Sequence, residues 1–242
     1  MANALDLITK LLAKAESTTP EEAEALIAKA QELATTYAIE QAVIDAARAV
    51  RGEAREGFKQ IKLCTERNTK LIKAKRHLVM YLADVNSCFV VMGPRRAYLE
   101  VSGHESDVAM LEHLFASLLL QMQRSMLQAE ARGLVVGQIG EWRVSYAHGY
   151  VRRVGYRMMD AKNASVRAAD AGTPGTAVVL RNRAQLSKEW AENQYDGLVA
   201  GRRIPTSDKN VYGRMAGDEA GRRADLGGER LGASTNRKEI GS

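Results

Sequence analysis

Apolar side chains recur along this chain at two spacings: three to four residues over most of its length, and two residues in a short central stretch. Leu5, Ile8, Leu11, Leu12 and Ala15 make the first helical stripe. Ser17 and Thr18 break it, and Thr19, Pro20 and Glu22 then form a capping box with proline at the first helical position, where its missing donor costs nothing. Glu21, Glu22 and Glu24 suit the positive end of that second helix's dipole, and Ala23, Leu26, Ile27, Ala30, Leu33, Ala34 and Tyr37 supply its apolar face. The two stripes predict an antiparallel helical hairpin closed by small alanines. A third, short helix is expected over residues 40–50 with Ala42, Val43, Ala46 and Ala47 inward, followed by a linker containing Gly52 and Gly57.

Beyond Gly57 the period shortens. Residues 58–64 (FKQIKLC) alternate apolar side chains with lysines, the pattern of an edge strand protected against unwanted pairing. Leu71, Ile72, Leu78, Val79, Leu82 and Val85 predict a helix with Lys70, Lys73, Lys75 and Arg76 on its outer side. Residues 88–92 and 97–102 are β-rich runs around Gly93 and Pro94, a hairpin with Arg95 and Arg96 at its tip. A long core helix follows, carrying Val108, Leu111, Leu114, Phe115, Leu118, Leu119, Met122, Met126 and Leu127. After a turn over 133–140, a second long helix over 141–169 places Trp142, Tyr146, Tyr150, Val154 and Met158 on one side. Its Gly149 and Gly155 each cost about 1 kcal/mol relative to alanine, so another backbone is expected to pass close by. Residues 177–180 are expected as a strand joining the sheet, 183–193 as a short helix with Leu186 and Trp190 on one face, and 208–225 as a last helix with a glycine and alanine face. From 227 to 242 little is left to bury, and a flexible tail is expected.

The pattern as a whole predicts an α+β fold: mainly helical, with the N-terminal helical hairpin and a small antiparallel sheet packed on long helices. It divides into an N-terminal helical domain (1–55), a central α+β domain (56–182), a C-terminal helical region (183–226) and the tail (227–242).

Length and charge narrow the function. A chain of 242 residues that is 45% hydrophobic can bury a sizeable core. No run approaches the roughly 20 apolar residues of a membrane span, and the start does not read as a signal peptide, so a cytosolic protein that meets no membrane is expected. The net charge of +6 is moderate, but it is unevenly placed: residues 1–50 carry four basic and eight acidic side chains, residues 51–100 eleven and five. Such asymmetry suits nucleic acid, an acidic partner, or contact between the two segments. Lys70, Lys73, Lys75, Arg76, Arg95 and Arg96 are the candidate nucleic-acid residues, although no aromatic side chains are interleaved with the helix lysines and a solvated basic face is the plainer reading.

Chemistry is sparse. Cys64 and Cys88 have no CxxC or Cys/His spacing and read as small core residues. His77, His104, His113 and His148 form no HExxH, and His104 and His113 fall on opposite sides of a helix, so neither a metal nor a cofactor is expected. No serine sits in a GxSxG elbow and no glycines form a phosphate loop. A binding or regulatory factor fits better than an enzyme. The stretch around Tyr195, Leu198, Val199, Arg202, Arg203 and Ile204, with Trp190 behind it, mixes apolar and arginine side chains as interfaces do, and is the candidate partner surface; a loop pinned to the core is the equal alternative.

The hairpin sequence KLLAKAESTTPEEAEALIAKAQEL resembles the N-terminal domain of a family of uncharacterised actinobacterial and phage proteins. The blocks VSGHESDVAMLEHLFASLL, GTPGTAVVLRNRA and AGRRADLGG resemble the rest of that family. More narrowly, the start MANALDLITKLLAKAEST resembles the recombination directionality factors of Streptomyces temperate phages that use a large serine integrase. That resemblance implies a non-enzymatic protein that binds the integrase at its coiled-coil and zinc-domain region, touches DNA only through the integrase, and switches recombination from integration (attP × attB) to excision (attL × attR). It carries over no residue-level contact motif.

Overall fold

A computed structural model describes residues 10, 14, 36–37, 39–45, 47–48, 50–51, 56–66, 69–172, 174–199, 201, 204–206 and 209–224. The expected N-terminal hairpin and the expected tail over 227–242 lie outside the described residues, apart from Lys10, Lys14 and residues 36–37. The fold is α+β and mostly helical, with one small antiparallel sheet. No helix among the described residues is long and apolar enough to cross a membrane.

The sheet is built from β1 (Phe58–Leu63), β2 (Phe89–Met92) and β3 (Leu99–His104), in the order β1-β3-β2. β1 is an edge, as its lysines suggest, and β3 is the centre. The hairpin is present but its two strands pair from Met92 opposite Leu99, so the connection is longer than expected and contains a short 3-10 turn, Pro94–Arg96. Because side chains alternate across a sheet, the register sorts residues cleanly. Leu99 and Val101 share one face with Ile61, Leu63, Val90 and Met92; Glu100, Ser102 and His104 share the other with Phe58, Gln60 and Lys62. Every residue of β3 is buried, so both faces are covered.

The apolar face packs on α1 (Ile72–Val85), α2 (Glu105–Ala131) and α3 (Ile139–Gly172). Leu78, Val79, Leu82, Leu111, Leu118, Met122, Tyr150 and Val154 form the centre of that core, close to the stripes read from the sequence. α5 (Val211–Arg223) lies along α3, and its glycines are what let it approach. A Cβ on Gly213 would come 2.5 Å from the Trp142 carbonyl oxygen, and one on Gly217 would come closer still to the Tyr146 carbonyl oxygen. Gly149 of α3 faces the Arg214 carbonyl in return, so a second backbone does pass there. Gly155 instead makes room for the Tyr81 ring, a side chain and not a backbone.

The polar face is covered by α4 (Thr176–Glu192). Residues 177–180, expected as a strand, are the first turn of this helix. Gly175, at φ 98°, turns the chain, and the Asp170 carboxylate accepts from the Gly175 and Ala177 amides at 3.0 and 3.1 Å. That cap lies several residues upstream in another helix, where no local signal announces it. α4 therefore runs unbroken through residues 182 and 183. Further back, residues 39–45 are helical as expected, but their buried side is Gln41, Ala42 and Asp45; Val43 and Ala47, expected inside, are exposed.

Candidate partner-binding surface

α4 buries Thr176, Leu180, Arg183, Ser187 and Ala191, a helical stripe made largely of polar residues. It has to be polar because the sheet face it meets is polar. Arg183, only 3% exposed, is the anchor. Its Nε donates to Asp107, one terminal nitrogen to Asp45 and the other to Glu56, each at 2.7 Å, with Ser106 Oγ at 3.0 Å. One guanidinium thus serves three carboxylates drawn from the 39–45 helix, the approach to β1 and the first turn of α2. Glu56 also accepts from the Ser106 amide at 2.6 Å and so caps α2.

Burial would raise the Glu56 carboxyl, but hydrogen bonds from Arg183 and Ser106 outweigh it and hold it below the usual carboxylate range. For Asp107 burial wins: the charge of Arg183 is shared, and the carboxyl is pushed up to about 6. His104, at the end of β3, is driven down to about 4 by burial and by the Arg183 charge. It is therefore a neutral, inward-facing histidine that ends a strand and does not share the helix of His113.

Ser187, His104 and Asp107 meet here, yet they make no nucleophilic relay. A relay needs one ring nitrogen on the hydroxyl and the other on the carboxylate. Here the same Nδ1 faces both Ser187 Oγ (3.3 Å) and Asp107 (3.9 Å), and the hydroxyl also donates to the Arg183 carbonyl at 3.2 Å. Among the described residues no group of histidine, cysteine and acidic side chains could hold a metal ion. Both cysteines are free; burial pushes the Cys64 thiol up to about 12 and raises Cys88 as well.

Beyond α4 the chain crosses the polar face of the sheet. Trp190 stacks on Phe58 with ring centroids 5.4 Å apart and planes 9° from parallel. Gln60 donates to the Tyr195 hydroxyl at 2.9 Å, and that hydroxyl donates to Glu100 at 2.6 Å. Burial and the Glu100 acceptor raise the Tyr195 phenol, which stays protonated. Ile204 is 4% exposed, and His77 Nε2 meets its carbonyl at 3.0 Å. Trp190, Tyr195 and Ile204 are thus fixed against the body, and His77 has its partner. Between these anchors Leu198 is 38% and Val199 88% exposed. Arg202 and Arg203 lie outside the described residues. The candidate set therefore splits: three residues pin the segment, and two present apolar surface to solvent.

The candidate nucleic-acid residues divide as well. Lys70 is exposed, and Lys75 is paired with Glu66 at 2.9 Å. Arg76, read from the sequence as outward, is buried, and its Nη2 donates to the Arg96 carbonyl at 2.6 Å. Arg76, Arg95 and Arg96 line one groove of about 790 Å³ beside the hairpin turn. Sequence spacing had put Arg76 on the helix and the other two on a loop; only the fold brings them together. The Arg183 network was missed altogether, because no spacing links residues 45, 56, 107 and 183.

One family, described as a protein of unknown function (DUF2786), matches residues 3–41 of the chain. That match covers the hairpin sequence and none of the later blocks. No curated protein and no solved structure matches the chain significantly. The N-terminal segment is therefore similar to an uncharacterised domain that other proteins also carry.

Proposed function

We propose that this protein is a recombination directionality factor: a non-enzymatic phage protein that binds a large serine integrase and switches it from attP × attB integration to attL × attR excision in the bacterial host cytoplasm. The resemblance of its first residues supports this reading, as does the lack of a convergent catalytic group around Ser187, His104 and Asp107. The observation that carries it is the segment after α4. Leu198 and Val199 are exposed between Tyr195 and Ile204, both of which are held by the body. A presented apolar pair on a fixed support binds with little loss of conformational freedom.

The integrase's own groups would break and join the DNA, and this chain would act by population shift. A protein that prefers one trajectory of the integrase coiled coil favours it by its differential affinity for the two states. A 100-fold change in preference needs only about 2.7 kcal/mol, within reach of a few buried contacts. Leu198 and Val199 would touch the integrase, joined by Arg202 and Arg203, while Trp190, Tyr195 and Ile204 would hold the platform.

The test is the affinity of purified integrase for the Leu198→Ser/Val199→Ser double variant. It should fall at least about tenfold with thermal stability unchanged, which is about 1.4 kcal/mol of lost contact. Equal affinity would move the contact elsewhere. A second reading, a basic nucleic-acid-binding accessory protein, is favoured by the exposed Arg95 and Arg96, which line one groove with Arg76. It requires integrase-free binding to attachment-site DNA with a steep salt dependence.

A further inference from the structure

Arg76 is a cation in an unusual place. It is 8% exposed, and among the described residues its Nε is buried without a hydrogen-bond partner while Nη2 donates to the Arg96 carbonyl. Glu66 lines the same groove; Lys75 donates to it at 2.9 Å, and that bond, helped by the Arg76 charge, holds its carboxyl below the usual range. Neither Arg76, Arg95 nor Arg96 forms an ion pair among the described residues. Buried charges are normally paired, because desolvation is otherwise uncompensated. Three arginines and one carboxylate, itself held by Lys75, line this open groove and leave it net positive.

The backbone points the same way. Arg95 and Arg96 both take left-handed conformations, at φ 51° and 56°, which non-glycine residues occupy only when their surroundings impose it. Besides the arginines and Glu66, the groove is lined by Ile72, Pro94, Ala97 and Tyr98. Lys62, 3.8 Å from Glu100, sits 4.8 Å from the centre of the Tyr98 ring. Three guanidiniums beside an aromatic wall match an oxyanion joined to a ring or chain, and the fork of arginine donors suits phosphate oxygens.

We propose that this groove is a phosphate-ester site, with the phosphate on Arg76, Arg95 and Arg96 and the organic part of the ester against Tyr98 and Ile72. The site deepens the nucleic-acid reading above, on which its duplex arm rests, by placing a phosphate on three of its candidate residues; a free nucleotide would occupy the site even if that reading fails. The phosphate can come from a free nucleotide or from a nucleic-acid strand.

The full-length protein should be titrated calorimetrically at low salt with inorganic phosphate, a 5′-mononucleotide and a short DNA duplex. Two variants run beside it: Arg95→Gly/Arg96→Gly, which deletes the guanidiniums while glycine accepts the left-handed backbone, and Arg76→Met. The expected result is saturable binding below about 10 mM for at least the mononucleotide or the duplex, weakened tenfold or more in both variants. The tighter of those two ligands identifies the source. If none of the probes saturates in that range, the proposal is wrong. It is equally overturned if the glycine variant, with an unchanged melting temperature, binds like the parent, or if polyglutamate competes as well as phosphate esters. Integrase affinity of the glycine variant, measured separately, keeps this outcome distinct from that of the directional reading.

Discussion

Replacing Arg183 with methionine should be among the most damaging single changes in this chain. Arg183 holds Asp107, Asp45 and Glu56 at 2.7 Å each and is itself almost fully buried. Methionine fills much of the same volume but leaves three carboxylates facing one another without a cation. Breaking a buried ion pair by removing one partner costs about 3–5 kcal/mol. For a chain of this size each kcal/mol lowers the melting temperature by about 2–4 °C, so a fall of roughly 6–20 °C is expected. The assay is urea unfolding followed by far-UV circular dichroism, where the midpoint should drop with the slope unchanged. Adding Asp107→Asn to Arg183→Met removes one of the stranded charges and should restore about 1–2 kcal/mol. A loss below about 1 kcal/mol, or equal losses with and without the asparagine, would refute the idea that Arg183 compensates buried charge.

Three further outcomes follow from the same structure. Asp107, raised to about 6, adds stability as pH falls through 6 and is fully protonated in the fold below about 4, whereas His104, lowered to about 4, subtracts stability over the same window because only the unfolded chain gains its proton. Asp107→Asn should therefore lose stability on acidification from pH 6.5 to 4.5 relative to the parent, and His104→Gln should gain it, by up to about 1.4 kcal/mol per pH unit; parallel profiles would contradict both assignments. Gly217→Ala drives a methyl into the Tyr146 backbone and should cost more than about 3 kcal/mol, while Gly172→Ala, with open space around it, should change stability by less than about 1 kcal/mol in thermal melts. Ile204→Ala should cost about 2–5 kcal/mol of stability, in contrast to the exposed Val199→Ser, which should leave the unfolding midpoint unmoved.

The long helices and the edge strand were legible because their signal is local. Leu111, Leu118 and Met122 repeat at helical spacing, and Lys59 and Lys62 mark an edge. The glycine and alanine face of α5 also announced a close approach, since Gly213 and Gly217 have no other use in an interior helical position. α4 was misread at its start for a physical reason. The run of valines at 178–179 favours a strand locally, whereas the helix is set by a buried stripe of Thr176, Arg183 and Ser187 that no hydrophobic pattern reveals. The split of the partner residues was equally hidden: the hydroxyl of Tyr195 is turned inward by Glu100, ninety-five positions earlier. Arg76 looked like a solvated helix cation, and only the hairpin folding over it makes it a buried one. Charge partners distant in sequence are what one chain's pattern cannot carry.

Recombination by the cognate purified integrase on separate attL × attR and attP × attB substrates, with and without the full-length protein, is the most direct measurement. Joined product from the hybrid sites should appear only when the protein is added, and the integration product should fall in parallel. Unchanged yields from both substrate pairs, at protein in excess over a demonstrably active integrase, would contradict a role in setting recombination direction.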